Sequence, residues 1–222
     1  MHLCSSQPAP AITFVPGDVF TVDLPQKSFQ MVYADPPYAG CRFKYARKNN
    51  SRQWGINPRA DFLRELIARM ECLRAPDGVC AISTATPELR LLHLFPTDAR
   101  VCAWVKNWAQ FRPGVWPTFA WEPLVVWGKR PSWRDAGGIA GAARPGGVPF
   151  DWLLCNPTPR RGTRNHETPK PDGFGPWVCD VALGNRTGQV CELFAGTWPI
   201  AEAAVHRGCT ATAVDLVNFR AA

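Results

Sequence analysis

The chain has 222 residues, 46% of them hydrophobic, and its 25 basic and 18 acidic side chains leave a formal charge of +7. That size supports one substantial core and predicts a single domain spanning 1–222. No apolar run approaches the roughly 20 residues of a membrane span, and the first residues lack the basic start and apolar stretch of a leader, so a soluble cytoplasmic protein with no membrane contact is expected.

In chain order, the first clear element is the apolar run Phe29–Ala34. It stops abruptly at Asp35-Pro36-Pro37-Tyr38, as a buried parallel strand does where its carboxyl end opens into a loop. The following loop, 40–57, contains no acidic residue, and Arg42, Lys44, Arg47, Lys48 and Arg52 alternate there with Phe43, Tyr45 and Trp54. Cations that pair with phosphate beside rings that stack suit a nucleic acid with an exposed base; a solvated basic loop is the plainer reading. Asn57 and Pro58 supply a helix start, and Phe62, Leu63, Leu66, Ile67, Met70 and Leu73 recur at helical spacing, which predicts a helix over 58–74. Strands are expected at 78–84, 101–106 and 121–127, with a short helix opening at Thr86-Pro87.

From 128 to 165 the pattern dissolves into Gly, Pro, Arg and Ala, an insertion rich in positive charge. Regularity returns with a helix over 177–183, a strand over 189–194, a helix over 199–207 and a strand over 210–214 that ends in Asp215. Alternation of this kind predicts an α/β fold: a doubly wound, mostly parallel sheet with helices on both faces. Nine scattered cysteines without a C-x-x-C pair read as reduced core thiols, and with only four isolated histidines no metal site is expected. The positive charge favours a polyanionic partner, DNA or RNA, and leaves room for a protein partner or a homodimer.

Two strand ends carry chemistry. An exocyclic amine on an aromatic base is a poor nucleophile, because its lone pair is delocalised into the ring. Two acceptors on its hydrogens free that lone pair, and the Asp35 carboxylate with the Pro36 carbonyl would be such a pair. Pro36 and Pro37 hold the backbone rigid, and the Tyr38 ring would stack on a base taken out of its helix. The second end is Glu192-Leu193-Phe194-Ala195-Gly196, followed by a helix and then Asp215. A glycine there lets a ligand approach the backbone, and an acid on the next strand can accept from ribose hydroxyls, the makings of a nucleoside pocket.

Four segments in this order, Gly17-Asp18-Val19, Asp35 to Tyr38, His166-Glu167-Thr168-Pro169-Lys170-Pro171, and Glu192 to Gly196 with Asp215, resemble the amino-methyltransferases that bear a D-P-P-Y motif. The catalytic half precedes the cofactor half, and the stretches 104–106 and 121–128 are similar to the branch that methylates adenosine in messenger RNA. The resemblance implies a Rossmann-like fold and S-adenosylmethionine as cofactor. It implies the N6 amino group of adenine as target, because Asp35 stands where cytosine enzymes more often carry serine, and DNA rather than RNA is the expected polymer. N4-cytosine methylation and a catalytically silent nucleic-acid-binding subunit are the alternatives. By the resemblance, Asp35, Pro36, Pro37 and Tyr38 form the target-amine site. Glu192, Phe194, Gly196 and Asp215 hold the cofactor with Asp18, and His166, Thr168 and Lys170 close its pocket. In much of the family a second glycine follows Gly196 two residues on, where this chain has Trp198.

Replacing Lys44, Arg47 and Lys48 together by alanine is expected to weaken nucleic-acid binding and to reduce the slope of log affinity against log salt by roughly 2 to 3. A salt titration followed by anisotropy checks this, and an unchanged slope returns the loop to a solvated surface.

Overall fold

The computed structural model describes residues 11–38, 59–107, 117–131, 148–156 and 169–218. The basic loop 40–57, most of the 128–165 insertion, His166 and Thr168 lie outside the described residues. The elements are β1 (Ile12–Pro16), β2 (Phe29–Ala34), α1 (Arg59–Leu73), β3 (Arg74–Ser83), a 3-10 helix (Thr86–Leu94), β4 (Arg100–Val105), β5 (Trp121–Gly128), β6 (Trp152–Leu154), α2 (Phe174–Leu183), β7 (Gln189–Leu193), α3 (Pro199–His206) and β8 (Thr210–Asp215).

The strands form one sheet in the order β1-β8-β7-β2-β3-β5-β4-β6. Every neighbouring pair is parallel except those of β5, which runs antiparallel to both β3 and β4. The expected doubly wound, mostly parallel sheet is the one observed. Its centre reads as a continuous apolar run because both faces are covered. Along β2, Met31 and Tyr33 enter the core beneath α2 and α3, while Val32 and Ala34 enter the one beneath α1. On α1 the buried side chains are Leu63, Leu66, Ile67, Met70 and Leu73, the stripe that the helical spacing marks.

Two strands differ from the sequence expectation by being present at all and two elements start more than one residue early, each for a local reason. Strands β1 and β6 were not expected: both are sheet edges, short and only partly covered, so neither shows a buried run or a clean alternation. Strand β3 begins at Arg74, and not at 78, because a register irregularity against β2 accommodates the extra residues: Phe29 lies opposite Arg74, but Met31 lies opposite Val79. Helix α2 begins at Phe174, three residues before the expected start, because Pro176 sits in its first turn, where no intrahelical N–H is required.

Helix α2 lies against the start of α3 at a glycine. A Cβ on Gly175 would come 2.1 Å from the Pro199 carbonyl oxygen and 3.1 Å from the Ala203 Cβ. Gly175→Ala must push the two helices apart and is expected to destabilise the protein by about 2 kcal/mol, read as a lowered urea midpoint.

Candidate active site

Strands β2 and β7 are neighbours in the middle of the sheet, and their onward connections diverge. From β7 the chain passes through α3 to β8 on one side, and from β2 through α1 to β3 on the other. Such a switch point leaves a crevice outside the carboxyl ends of the strands. The Asp35 backbone N–H donates across it to the Leu193 carbonyl at 3.3 Å, joining the two motif-bearing strand ends.

On the β2 side, Asp35 and Tyr38 are drawn together by residues from three other places. The Tyr38 hydroxyl lies 3.0 Å from Glu122 Oε2 and 3.3 Å from Asp35 Oδ1. Lys170 Nζ is 3.2 Å from Asp35 Oδ2, from Glu122 Oε2 and from the Tyr38 hydroxyl. Lys106 pairs with the other Glu122 oxygen. Aromatic rings surround the Lys170 ammonium, with Trp104 at 5.2 Å, Phe174 at 5.3 Å and Tyr38 at 5.6 Å to the ring centroids. Under this floor, Tyr33 and Ser83 share a buried hydroxyl contact of 2.7 Å.

Protonation states follow from these contacts. Burial pushes the Tyr38 phenol well above its ordinary value, and the Asp35 and Glu122 charges add to the effect, so it remains a donor. Burial opposes ionisation of Glu122, but Lys170 and then Lys106 outweigh it and hold the carboxyl down at about 2. For Lys170 burial disfavours the ammonium, and Asp35 and Glu122 more than compensate, raising its value.

On the β7 side, the turn after Leu193 carries positive φ angles at Phe194 (57°), Gly196 (52°) and Trp198 (60°). The left-handed conformation is free for Gly196 but costs a bulky residue energy. Asp215, at the end of β8, accepts from the Gly196 N–H at 2.9 Å, and its carbonyl accepts from the Gly17 N–H at 3.0 Å. Asp18, beside Gly17, accepts from the Phe20 N–H at 3.0 Å. Phe20, Phe62 and Phe194 form a ring cluster with centroids 5.6 to 6.5 Å apart. Arg69 of α1 ties the same loop down, donating to the Val19 and Val22 carbonyls at 3.2 and 2.5 Å. The Trp198 ring stacks on Phe14 at 5.6 Å and packs with the core beneath α2 and α3.

Asp35 and Tyr38 therefore stand together on one strand end, and Asp18, Phe194, Gly196 and Asp215 gather at the neighbouring ends. Glu192 is buried one step below, accepting from the Ile200 and Ala201 N–H groups at the start of α3 at 3.2 and 2.7 Å. Lys170, grouped in the sequence with the cofactor segment, contacts Asp35, Tyr38 and Glu122. Glu122, Lys106 and Trp104 were not singled out as site residues. Their signal was a pair of charges in otherwise apolar strands, at 106 and 122. Among the described residues no group of three or more His, Cys, Asp or Glu side chains could hold a metal ion, and no helix is long and apolar enough to cross a membrane.

The fold is the Rossmann-like α/β fold of S-adenosylmethionine-dependent methyltransferases. Among solved structures, the PvuII DNA methyltransferase (cytosine-N4-specific) superposes with a TM-score of 0.70 at 14% identity, over 94% of this chain and 83% of its own. M1.HpyAVI in its SAM complex follows at a TM-score of 0.59 and 16% identity, covering 93% of this chain and 94% of that one. TTHA0409 of Thermus thermophilus, complexed with S-adenosyl-L-methionine, aligns at 0.53 and 17% identity over 96% and 90%. At such identities the likeness is one of fold. No family model matches the chain, and no curated protein matches it either.

Burial raises the Glu192 carboxyl to about 8, against the two backbone donors of α3. A carboxyl raised above its unfolded value costs stability as pH climbs, because the unfolded chain releases the proton first. Between about pH 4.5, its unfolded value, and 8, this group should lower stability with a slope of at most roughly 1.4 kcal/mol per pH unit. Glu192→Gln is expected to remove that slope in thermal melts at a series of pH values, whatever its effect at a single pH.

Proposed function

We propose that this protein is an S-adenosylmethionine-dependent methyltransferase acting on an exocyclic amino group of a nucleic-acid base. One observation carries the reading: the Asp35 to Tyr38 segment and the Gly196 turn lie on adjacent strand ends, joined by the Asp35 to Leu193 hydrogen bond, in a fold shared with DNA methyltransferases. The chain has the parts that an adenosyl cofactor requires. They are a backbone turn with a left-handed glycine, an acid at the end of the next strand, and a wall of aromatic rings beside them. Asp18, Phe194, Gly196 and Asp215 would line its pocket, Glu192 would brace the helix behind it, and His166, Thr168 and Lys170 would close it. Bound there, the cofactor supplies an activated methyl group.

The remaining work belongs to the chain. Asp35 and the Pro36 carbonyl accept the two amine hydrogens and free the nitrogen lone pair, Pro37 keeps that backbone fixed, and Tyr38 stacks on the ring. The Asp35 oxygens already contact Tyr38 and Lys170, but a carboxylate offers about four lone-pair sites and retains capacity for the amine. Orientation and electrostatics thus carry the reaction, and no covalent intermediate is needed. Arg42, Lys44, Arg47, Lys48, Arg52 and Trp54 would hold the polymer.

The target is N6 of adenine, on the strength of Asp35 leading the motif, and the polymer is DNA, the substrate class of the structural neighbours. The cytosine-N4-specific neighbour supports a second reading, N4 of cytosine, whose amine presents the same two hydrogens. Labelled methyl offered with unmethylated genomic DNA and with total RNA, followed by nucleoside analysis, decides among adenine, cytosine and neither, and identifies the polymer. In that assay Asp35→Ala is expected to abolish transfer while cofactor affinity stays within a few-fold, and near-normal turnover would remove Asp35 from the reaction.

A further inference from the structure

Glu122 and Lys106, the pair of charges beside Tyr38 and Lys170, have no place in the motif reading. Glu122 enters the site because β5 runs against its neighbours: its amino-terminal end, where Trp121 and Glu122 pair with Val105 and Trp104, lies at the carboxyl ends of β3 and β4. One Glu122 oxygen pairs with Lys106, while the other receives both the Tyr38 hydroxyl at 3.0 Å and Lys170 at 3.2 Å. The Lys170 ammonium also reaches Asp35 at 3.2 Å, so two acids and one base close around one phenol, with Lys106 holding Glu122 from its other oxygen. Charge-assisted contacts are the stronger kind, and inside a protein they gain from the low dielectric. An aromatic side chain held only by its ring edge keeps rotamer freedom that must be surrendered when a base stacks on it. A ring tied at its hydroxyl has already surrendered it.

We propose that Glu122, clamped between Lys106 and Lys170, is a positioning residue that acts through the Tyr38 hydroxyl, fixing the ring beside Asp35 as a preset stacking face for a planar, amino-bearing base. The inference rests on the amino-methyltransferase reading and adds to it a reason for tyrosine, with its hydroxyl, at this position. It also separates two stages of substrate use. Phosphate contacts set affinity for the polymer, whereas the Tyr38 face acts after the base has left its stack. Loosening the ring therefore lowers turnover more than it raises the polymer KM.

The test is a double-mutant cycle in the full chain, Glu122→Gln with Tyr38→Phe, read by kcat, polymer KM and cofactor Kd. Each single substitution is expected to lower kcat about 10-fold, with polymer KM and cofactor Kd within about 2-fold. Placed on top of Tyr38→Phe, Glu122→Gln is expected to cost less than about 2-fold more. A second full loss of about 10-fold means that Glu122 acts independently of the hydroxyl and overturns the proposal. The same four proteins unfolded in urea read the contact without any activity: non-additive midpoint shifts support it, and additive shifts overturn it. A wild-type chain that moves no methyl onto DNA or RNA but shows non-additive urea midpoints defeats the methyltransferase reading while leaving the Glu122 to Tyr38 contact standing.

Discussion

Parallel pairing of β2 with β7, in the register that sets Tyr33 opposite Glu192 and Ala34 opposite Leu193, is the constraint from which the site follows. Because side chains alternate along a strand, a slip of β7 by one residue against β2 would send Glu192 to the opposite face and leave it without its two N–H donors at the start of α3. The register also brings Asp35 level with the turn that leads to Gly196. The crevice is thus a consequence of strand order and register together, and the loops around it add chemistry to a position the sheet has already set.

The two sides of that crevice deal with buried charge differently. Around Asp35, carboxylates and ammonium groups are interleaved, and Glu122 stays ionised because Lys170 and Lys106 outweigh the burial that opposes it. Isolated ions would cost several kcal/mol each in such surroundings, so the four groups are tolerable only as a set. Glu192 has helix N–H groups as its hydrogen-bond donors, and burial raises it to about 8. An ionised, neutralised array suits a place where acceptors must be ready in advance, because prearranged charges need no reorganisation when a ligand arrives. A carboxyl with a raised value suits a structural brace beneath a turn.

The likeness to solved methyltransferases at 14 to 17% identity has a physical basis. What specifies this sheet is a set of short apolar strands buried on both faces, with helices whose stripes cover them, and many sequences satisfy that pattern. A fold of this kind hosts many chemistries, so the functional argument rests on side chains at the strand ends. Trp198 illustrates the latitude available. It takes the left-handed conformation that a glycine adopts freely, and it uses its ring to pack on Phe14 beneath the helices.

The sequence by itself determined the layered α/β class, the central strands, the α1 stripe and the two motif-bearing strand ends, because burial on both faces and helical periodicity are local patterns that a single segment displays. It did not display β1 and β6, since mostly apolar runs of five and three residues at partly covered sheet edges are too short to mark a strand by their pattern. Nor did it reveal Glu122 and Lys106 as neighbours of Asp35. Reading outward from carboxyl ends of strands finds Asp35, Glu192 and Asp215, but β5 is reversed and delivers its amino-terminal residue to the same rim. Strand direction is a property of the assembled sheet. Only the tertiary structure could decide that charges 48 and 16 residues from Glu122 in the chain, on Lys170 and Lys106, meet over its one carboxylate.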